Sequence, residues 1–487
     1  MTEQRILEGK LLIDGDWRAG GSGAELEARD PGNGDLIGTL ARATTGDVDD
    51  AVAAAERARA EWAGLAANDR ANYLSAAASA LDDDADDWAK LMTTEMGKPF
   101  AEAKVECLRA GKILRFFAGE AHRPVGEHYS SDIAQTWLFT RREPVGVVGI
   151  ITPWNFPAAI PAWKLAPALI FGNTVVAKLA EDAGLTGLRI ARALVDAGLP
   201  PGVLNVVLGS GSEIGPHITE HPGIHALSFT GSTEVGHSIL VSAAKGAKRV
   251  QLEMGGHNPV IVRSDADLDA AVAAVALGAF ASAGQKCTAT RRVYVHSSRY
   301  EDFVERLVEA AESTKVGHGL DEGTKMGPLV NEAQLQKVLD SLERTAKEGT
   351  VRTGGSRLTE GELARGNYIG PTVVTDLPHD AELACEEVFG PAVAVWPVAN
   401  DDAAIDLANG TRYGLSAAIF TRDLNAARTF IDQIKAGIVH VNSQTAGADV
   451  HVPFGGTASS AYGPHEQGRS AMEFYTQEKT VYLDPSA

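Results

Sequence analysis

Cysteine is scarce: the 487 residues hold three, Cys107, Cys287 and Cys385, far apart and with no C-x-x-C spacing. Such spacing excludes a disulfide framework and a thiolate zinc site, so no metal is expected and each thiol must be judged alone. Long apolar runs are also missing. No stretch of about 20 apolar residues occurs, and the opening MTEQRILEGKLLIDGDW has no positively charged start followed by an apolar core. The expectation is a cytoplasmic protein with no membrane partner. Basic residues form no long run, and 44 Lys and Arg against 64 Asp and Glu give a formal charge of -20. A balance of that sign argues against nucleic acid or anionic lipid as a partner. The usual dinucleotide fingerprint G-x-G-x-x-G is absent too. Its nearest relative, LGSGSEIG at 208–215, has one residue too many before the third glycine, and reads equally as a phosphate loop or a plain tight turn.

What is present is a globular composition, 44% apolar and 22% charged, in a chain too long for one ordinary core. After a hairpin around Ile13-Asp14-Gly15-Asp16-Trp17, residues 47–119 read as three Ala-rich helical segments. From residue 145 short β-rich runs such as VGVVGII, NTVVAK, VLNVV and IHALSFTG alternate with helical stretches. A second alternating region runs from about 258 to 445. Alternation at this spacing predicts doubly wound α/β sheets, with 120–144 as an excursion between domains.

Three stretches carry chemistry. The loop Ser228-Phe229-Thr230-Gly231-Ser232-Thr233-Glu234-Val235-Gly236 follows a strand and opens a helix, so its small residues would let a pyrophosphate reach backbone donors at a helix N-terminus. Leu252-Glu253-Met254-Gly255-Gly256 places a carboxylate among apolar and glycine neighbours. It is either a surface acid at a turn or a general base whose flexible glycines let it swing. In Thr152-Pro153-Trp154-Asn155-Phe156-Pro157, two prolines stiffen the loop after a strand, so Asn155 is a rigid amide at the carboxyl end of a sheet, suited to donate to an oxyanion. Gly-Gln-Lys-Cys at 284–287 then poses a question: Cys287 is either a small buried hydrophobe or a nucleophile.

Those segments, with NTVVAK (173–178), EEVFGP (386–391) and PFGG (453–456), occur in an order and spacing that resemble the NAD(P)-dependent aldehyde dehydrogenase superfamily over essentially the whole chain. The resemblance implies a Rossmann-type cofactor domain (1–121 and 145–255), an α/β catalytic domain (256–458), and a small β oligomerisation element (122–144 and 459–487). That element would pair across subunits of a homodimer or homotetramer. It also implies Cys287 as the nucleophile that forms a thiohemiacetal and then a thioester, Asn155 as oxyanion donor and Glu253 as the base that activates water. The carried-over cofactor residues are Trp154, Lys178, Glu181, Gly231, Ser232, Glu387 and Phe389. Glu181 at the adenosine ribose favours NAD over NADP, because a carboxylate there repels a 2'-phosphate. Leu179 stands where the family usually has proline, Ala183-Gly184 replaces Thr-Pro, and His257 replaces a common lysine. These departures bear on the cofactor preference.

For the substrate, a small-molecule aldehyde, FPAAIPAWK (156–164), GQKCTATRRV (284–293) and TAGADVHVPFGGTASSAYGPHEQGR (445–469) resemble the branch containing α-ketoglutaric semialdehyde (2,5-dioxopentanoate) dehydrogenases. Trp163 stands where succinate-semialdehyde dehydrogenases commonly carry arginine; with Phe156 it is an expected substrate contact. Arg109 lines up at helical spacing with Val105, Ile113 and Phe116, a cation on an apolar stripe. It is either a snorkelling arginine at a domain edge or the anchor of a substrate carboxylate. Alternatives are succinic semialdehyde or an uncharged aldehyde as substrate, a cysteine esterase, and a non-catalytic binding protein on the same fold. Cys107 and Cys385 read as structural.

Overall fold

The computed structural model describes residues 7–123 and 125–485. The outermost parts of the ranges anticipated above, residues 1–6 and 486–487, and residue 124 lie outside the described residues. Mixed α/β architecture follows from the alternation. Runs of Val, Ile and Ala form fully buried parallel strands, which need apolar side chains on both faces.

The first sheet has eight strands, in spatial order Ala461–Tyr462, Arg249–Glu253, Ala226–Thr230, Val147–Ile151, Thr174–Lys178, Leu204–Val207, Leu11–Ile13 and Asp16–Arg18. The five from Arg249–Glu253 to Leu204–Val207 run parallel, and antiparallel strands close both edges. Strand order runs one way from Val147–Ile151 through Thr174–Lys178, and the other way through Ala226–Thr230. The crevice at that switch point is where doubly wound sheets bind ligands. The TPWNFP loop and the FTGSTEVG loop leave the two strands flanking it.

The second sheet has seven strands, Thr350–Thr353, Thr372–Thr375, Ala392–Val398, Thr290–His296, Asn258–Val262, Ser416–Phe420 and Ile438–Val441. All but the first pairing are parallel. Each large sheet has its own buried apolar cluster. Thr476–Leu483 pairs antiparallel with Trp137–Pro144 along its whole length, tying the tail to the 120–144 excursion. Part of the tail is shared, since Ala461–Tyr462 joins the first sheet and Phe474 and Tyr475 lie in its core.

Residues 45–119 form four helices where three segments were expected: α1 Thr45–Gly64, α2 Ala67–Asp83, α3 Ala85–Met96 and α4 Phe100–Gly119. The extra break falls at Asp84, which alone parts α2 from α3. Leu65 turns to extended backbone after α1, and Gly97 ends α3 in the left-handed region (φ 83°). A capping box starts α1: Asp47 N–H donates to Thr44 Oγ1 at 3.3 Å, and Thr44 N–H donates to Asp47 Oδ2 at 2.8 Å.

Candidate active site

The segment that presents Cys287 is held in unusual backbone. Ser282 (φ 55°), Ala283 (φ 53°) and Gly284 (φ 67°) are consecutive left-handed residues after the helix Leu268–Phe280. Non-glycine residues there cost about 1–3 kcal/mol each, so their surroundings must hold them. The buried Arg291 guanidinium donates to the carbonyls of Gly284 and Gly390, Ser282 Oγ donates to Glu102 Oε2 at 2.6 Å, and Gln285 Oε1 accepts from Val330 N–H at 3.0 Å. The half-buried Cys287 rests as a thiol: loss of solvation, then the negative fields of Glu387 and Glu253, push its pKa up. A nucleophilic role therefore requires a proton acceptor.

Glu253 ends a strand of the first sheet, 2% exposed, with Oε2 lacking a hydrogen-bond partner. Desolvation raises its pKa well above the usual carboxylate range, Glu466 adds to the rise, and Lys164 opposes it. Lys164 pairs with Glu466 in full burial and donates to Ser228 Oγ at 3.0 Å, which donates to Gln251 Oε1 at 3.0 Å. Neither Gly255 nor Gly256 has positive φ. The two glycines also allow close approach: a Cβ at Gly255 would strike the Glu387 carboxylate, and one at Gly256 the Cys287 carbonyl.

Asn155 is buried. Its Nδ2 donates to the Gln285 carbonyl at 3.0 Å, while Oδ1 has no partner. It lies with Cys287 at one groove of about 650 Å³ that also receives all seven expected cofactor residues, Trp154, Lys178, Glu181, Gly231, Ser232, Glu387 and Phe389. Trp154 and Phe389 meet edge to face at 5.5 Å, with Phe389 in the left-handed region (φ 57°). Glu387 accepts from Gly256 N–H at 3.2 Å, and its burial raises its pKa to about 7. Desolvation lowers the pKa of Lys178. Ser232 caps the helix Thr233–Lys245, its Oγ accepting from Val235 N–H at 3.3 Å. Buried atoms without partners, Glu181 Oε2, Thr230 Oγ1 and Thr233 Oγ1, line the same groove, which fits a polar dinucleotide.

The three expected substrate contacts lie outside that groove. The Phe156 ring is covered by Lys98 Nζ at 4.0 Å, Trp163 stacks on Phe454 at 5.5 Å, and Arg109 donates to the Ala448 carbonyl. The apolar stripe is corrected by the structure: Val105 is 69% exposed while Ile113 is buried. Eight residues rotate a helix by about 800°, leaving these two positions roughly 80° apart. Sequence reasoning missed Gln334, Lys337, Arg412 and Tyr413 at the groove, and the buried pairs Lys164–Glu466 and Lys98–Glu106. Elsewhere, Asp49 Oδ1 faces Nε2 of His217 (2.6 Å) and of His221 (3.3 Å). Gly223 N–H donates to His221 Nδ1, which leaves the proton on Nε2 and no lone pair there for a metal.

A nucleotide groove that ends on a thiol is the arrangement of an oxidoreductase that holds its substrate covalently while a dinucleotide takes the electrons. The model of the aldehyde dehydrogenase family matches residues 17–481, and the chain belongs to that family. It is an NAD(P)-dependent enzyme that oxidises an aldehyde to a carboxylic acid. Alpha-ketoglutaric semialdehyde dehydrogenase of Bacillus subtilis is 43% identical over 477 residues, covering 97% of this chain and 98% of its own. Alpha-ketoglutarate semialdehyde dehydrogenase of Haloferax volcanii is 43% identical over 476 residues, with the same coverage. A crystal structure of betaine aldehyde dehydrogenase from Staphylococcus aureus in complex with NAD+ is similar at a TM-score of 0.96 and 33% identity, over 98% of this chain and 95% of that one. Among the described residues no helix is long and apolar enough to cross a membrane.

Proposed function

We propose that the enzyme oxidises a small semialdehyde bearing a carboxylate, with 2,5-dioxopentanoate as substrate and NAD as preferred cofactor. The observation that carries this reading is Arg109. Its side chain is half-buried, makes no ion pair among the described residues, and has a buried Nε without a partner. Glu106 and Asp449 offset the lost solvation of this cation only in part, which leaves it able to take up a substrate anion. Its one hydrogen-bond acceptor among the described residues, the Ala448 carbonyl, lies in the loop that runs from Thr445, whose Oγ1 donates to the Thr288 carbonyl beside Cys287 at 2.8 Å, to Phe454 on Trp163. Contact with a segment that also packs beside Cys287 supports a role for Arg109 in gripping the substrate carboxylate. The names of the two 43% identical relatives support the same substrate class.

In this reading the Cys287 thiol gives its proton to water in the groove as its sulfur adds to the aldehyde carbon, and Asn155 Nδ2 with the Cys287 N–H stabilises the oxyanion of the thiohemiacetal. NAD(P), when bound in the groove, supplies the hydride acceptor that leaves a thioester on Cys287. Glu253 then removes a proton from the attacking water, and release of the acid frees the thiol. Residues 1–121 and 145–255 serve the cofactor, 256–458 the chemistry, and 122–144 with 459–487 subunit pairing in a homodimer or homotetramer. The second edge of Thr476–Leu483, unpaired among the described residues, supports that pairing. Three free thiols support a cytoplasmic setting.

Two expected results test the specificity. Arg109→Ala raises KM for 2,5-dioxopentanoate about 10- to 100-fold, the value of a charge-assisted hydrogen bond, and leaves KM for propanal within about twofold. Equal changes for both aldehydes would sink the anchor. Glu181→Ser shifts the NAD to NADP ratio of kcat/KM about tenfold towards NADP, as removing one nearby like charge should. An unchanged ratio, from initial rates with each cofactor, removes Glu181 from cofactor choice.

A further inference from the structure

We propose that Lys98 and Glu106 form a buried brace that sets the position of the Asn155 amide, and so act as positioning residues for the oxyanion. The proposal rests on the reading of Asn155 given above.

Lys98 lies between α3 and α4, just after the left-handed Gly97, and Glu106 lies two turns into α4. Their side chains are 1% and 3% exposed and form an ion pair. Each charge is also spent on the backbone of one short stretch. Lys98 Nζ donates to the Asn155 carbonyl at 3.0 Å and covers the Phe156 ring at 4.0 Å. Glu106 Oε1 accepts from Ala158 N–H at 2.9 Å and Ala159 N–H at 3.1 Å, where the helix Ala159–Ile170 begins. Residues 155–159 are thus pinned at both ends by one ion pair anchored outside the loop.

Among the described residues the Asn155 side chain itself has one tether, the bond from Nδ2 to the Gln285 carbonyl on the nucleophile segment. The angle at which Nδ2 meets an oxyanion therefore depends on where the backbone of residue 155 is held. A displacement of about 1 Å at such a donor can cost on the order of 10²-fold in rate. For stability alone a buried ion pair is no better than apolar side chains of similar volume. Apolar side chains could not satisfy one carbonyl and two N–H groups of the loop, which is the service these charges perform.

The test is acylation of Cys287 by p-nitrophenyl acetate in the full-length enzyme. The thiol sulfur attacks the ester carbonyl, a thioester forms, p-nitrophenolate leaves, and the thiol proton passes to solvent. Asn155→Ala alone is expected to slow acylation about 10²-fold. No slowing would mean that the reading of Asn155 fails, and the brace with it. Lys98→Met and Glu106→Gln are each expected to slow acylation about tenfold or more in the native background, and less than about twofold when combined with Asn155→Ala. The Kd for NAD should stay within about twofold throughout. Equal factors in both backgrounds, or a matching loss of NAD affinity, would overturn the brace and leave a structural role. Glu106→Asp keeps the charge and shortens the arm by one methylene. It decides the matter if the charge-removing variants do not fold: a slower acylation that vanishes beside Asn155→Ala supports the brace, and an unchanged rate overturns it.

Discussion

Replacing Cys287 by serine is expected to lower aldehyde-dependent NADH formation by about 10⁴-fold or more, the order of loss seen when a covalent nucleophile is removed. The sulfur lies where the groove that collects the cofactor residues meets Asn155, and no other thiol touches it: Cys107 is buried in α4, and Cys385 donates to the His379 carbonyl. A serine hydroxyl ionises far less readily than a thiol, so the covalent step fails although the groove persists. Fluorescence titration should therefore return an unchanged Kd for NAD. Residual turnover above about a hundredth of the native rate would place the chemistry on another group.

Glu253→Gln should separate the two halves of the reaction. The amide fills the same buried site without accepting a proton, so one NADH per active site is expected in a rapid phase, followed by a steady rate lower by about 10²- to 10⁴-fold. Stopped-flow absorbance reads both phases. The native pH profile carries the same signature. Burial and Glu466 raise the pKa of Glu253, so the base is protonated below that raised value and inactive. Steady turnover should climb as pH rises through it, and Glu253→Gln should lose that limb. A variant without a rapid phase, or with the native pH limb intact, would put the base elsewhere.

Local signals made much of this molecule legible. Unbroken Val and Ile runs marked the buried parallel strands, and the prolines around Asn155 marked a fixed loop at the carboxyl end of one of them, where the crevice opens. Cys287, Asn155 and the seven cofactor residues share one groove because each lies within a few residues of a strand end or helix start, and the alternation fixes which ends meet. The break between α2 and α3 was not legible, because Asp83-Asp84-Ala85 carries neither glycine nor proline. The glycines beside Glu253 were visible but not the close approach they allow to Glu387 and to Cys287, which depends on segments distant in the chain. Lys98–Glu106 and Lys164–Glu466 escaped notice for the same reason. A signal existed for one of them: Glu106 occupies the buried phase of α4 shared with Ala103, Ala110 and Ile113, where a carboxylate needs a partner.

The central claim is that a carboxylate-bearing semialdehyde is oxidised while bound to Cys287. The most direct measurement is the peptide mass of Glu253→Gln, quenched in acid after one turnover with 2,5-dioxopentanoate and NAD. The predicted result is one added acyl group, located on the peptide that contains Cys287 and absent when NAD is withheld. An unmodified Cys287 after NADH has formed, or an acyl group on a different residue, would contradict it.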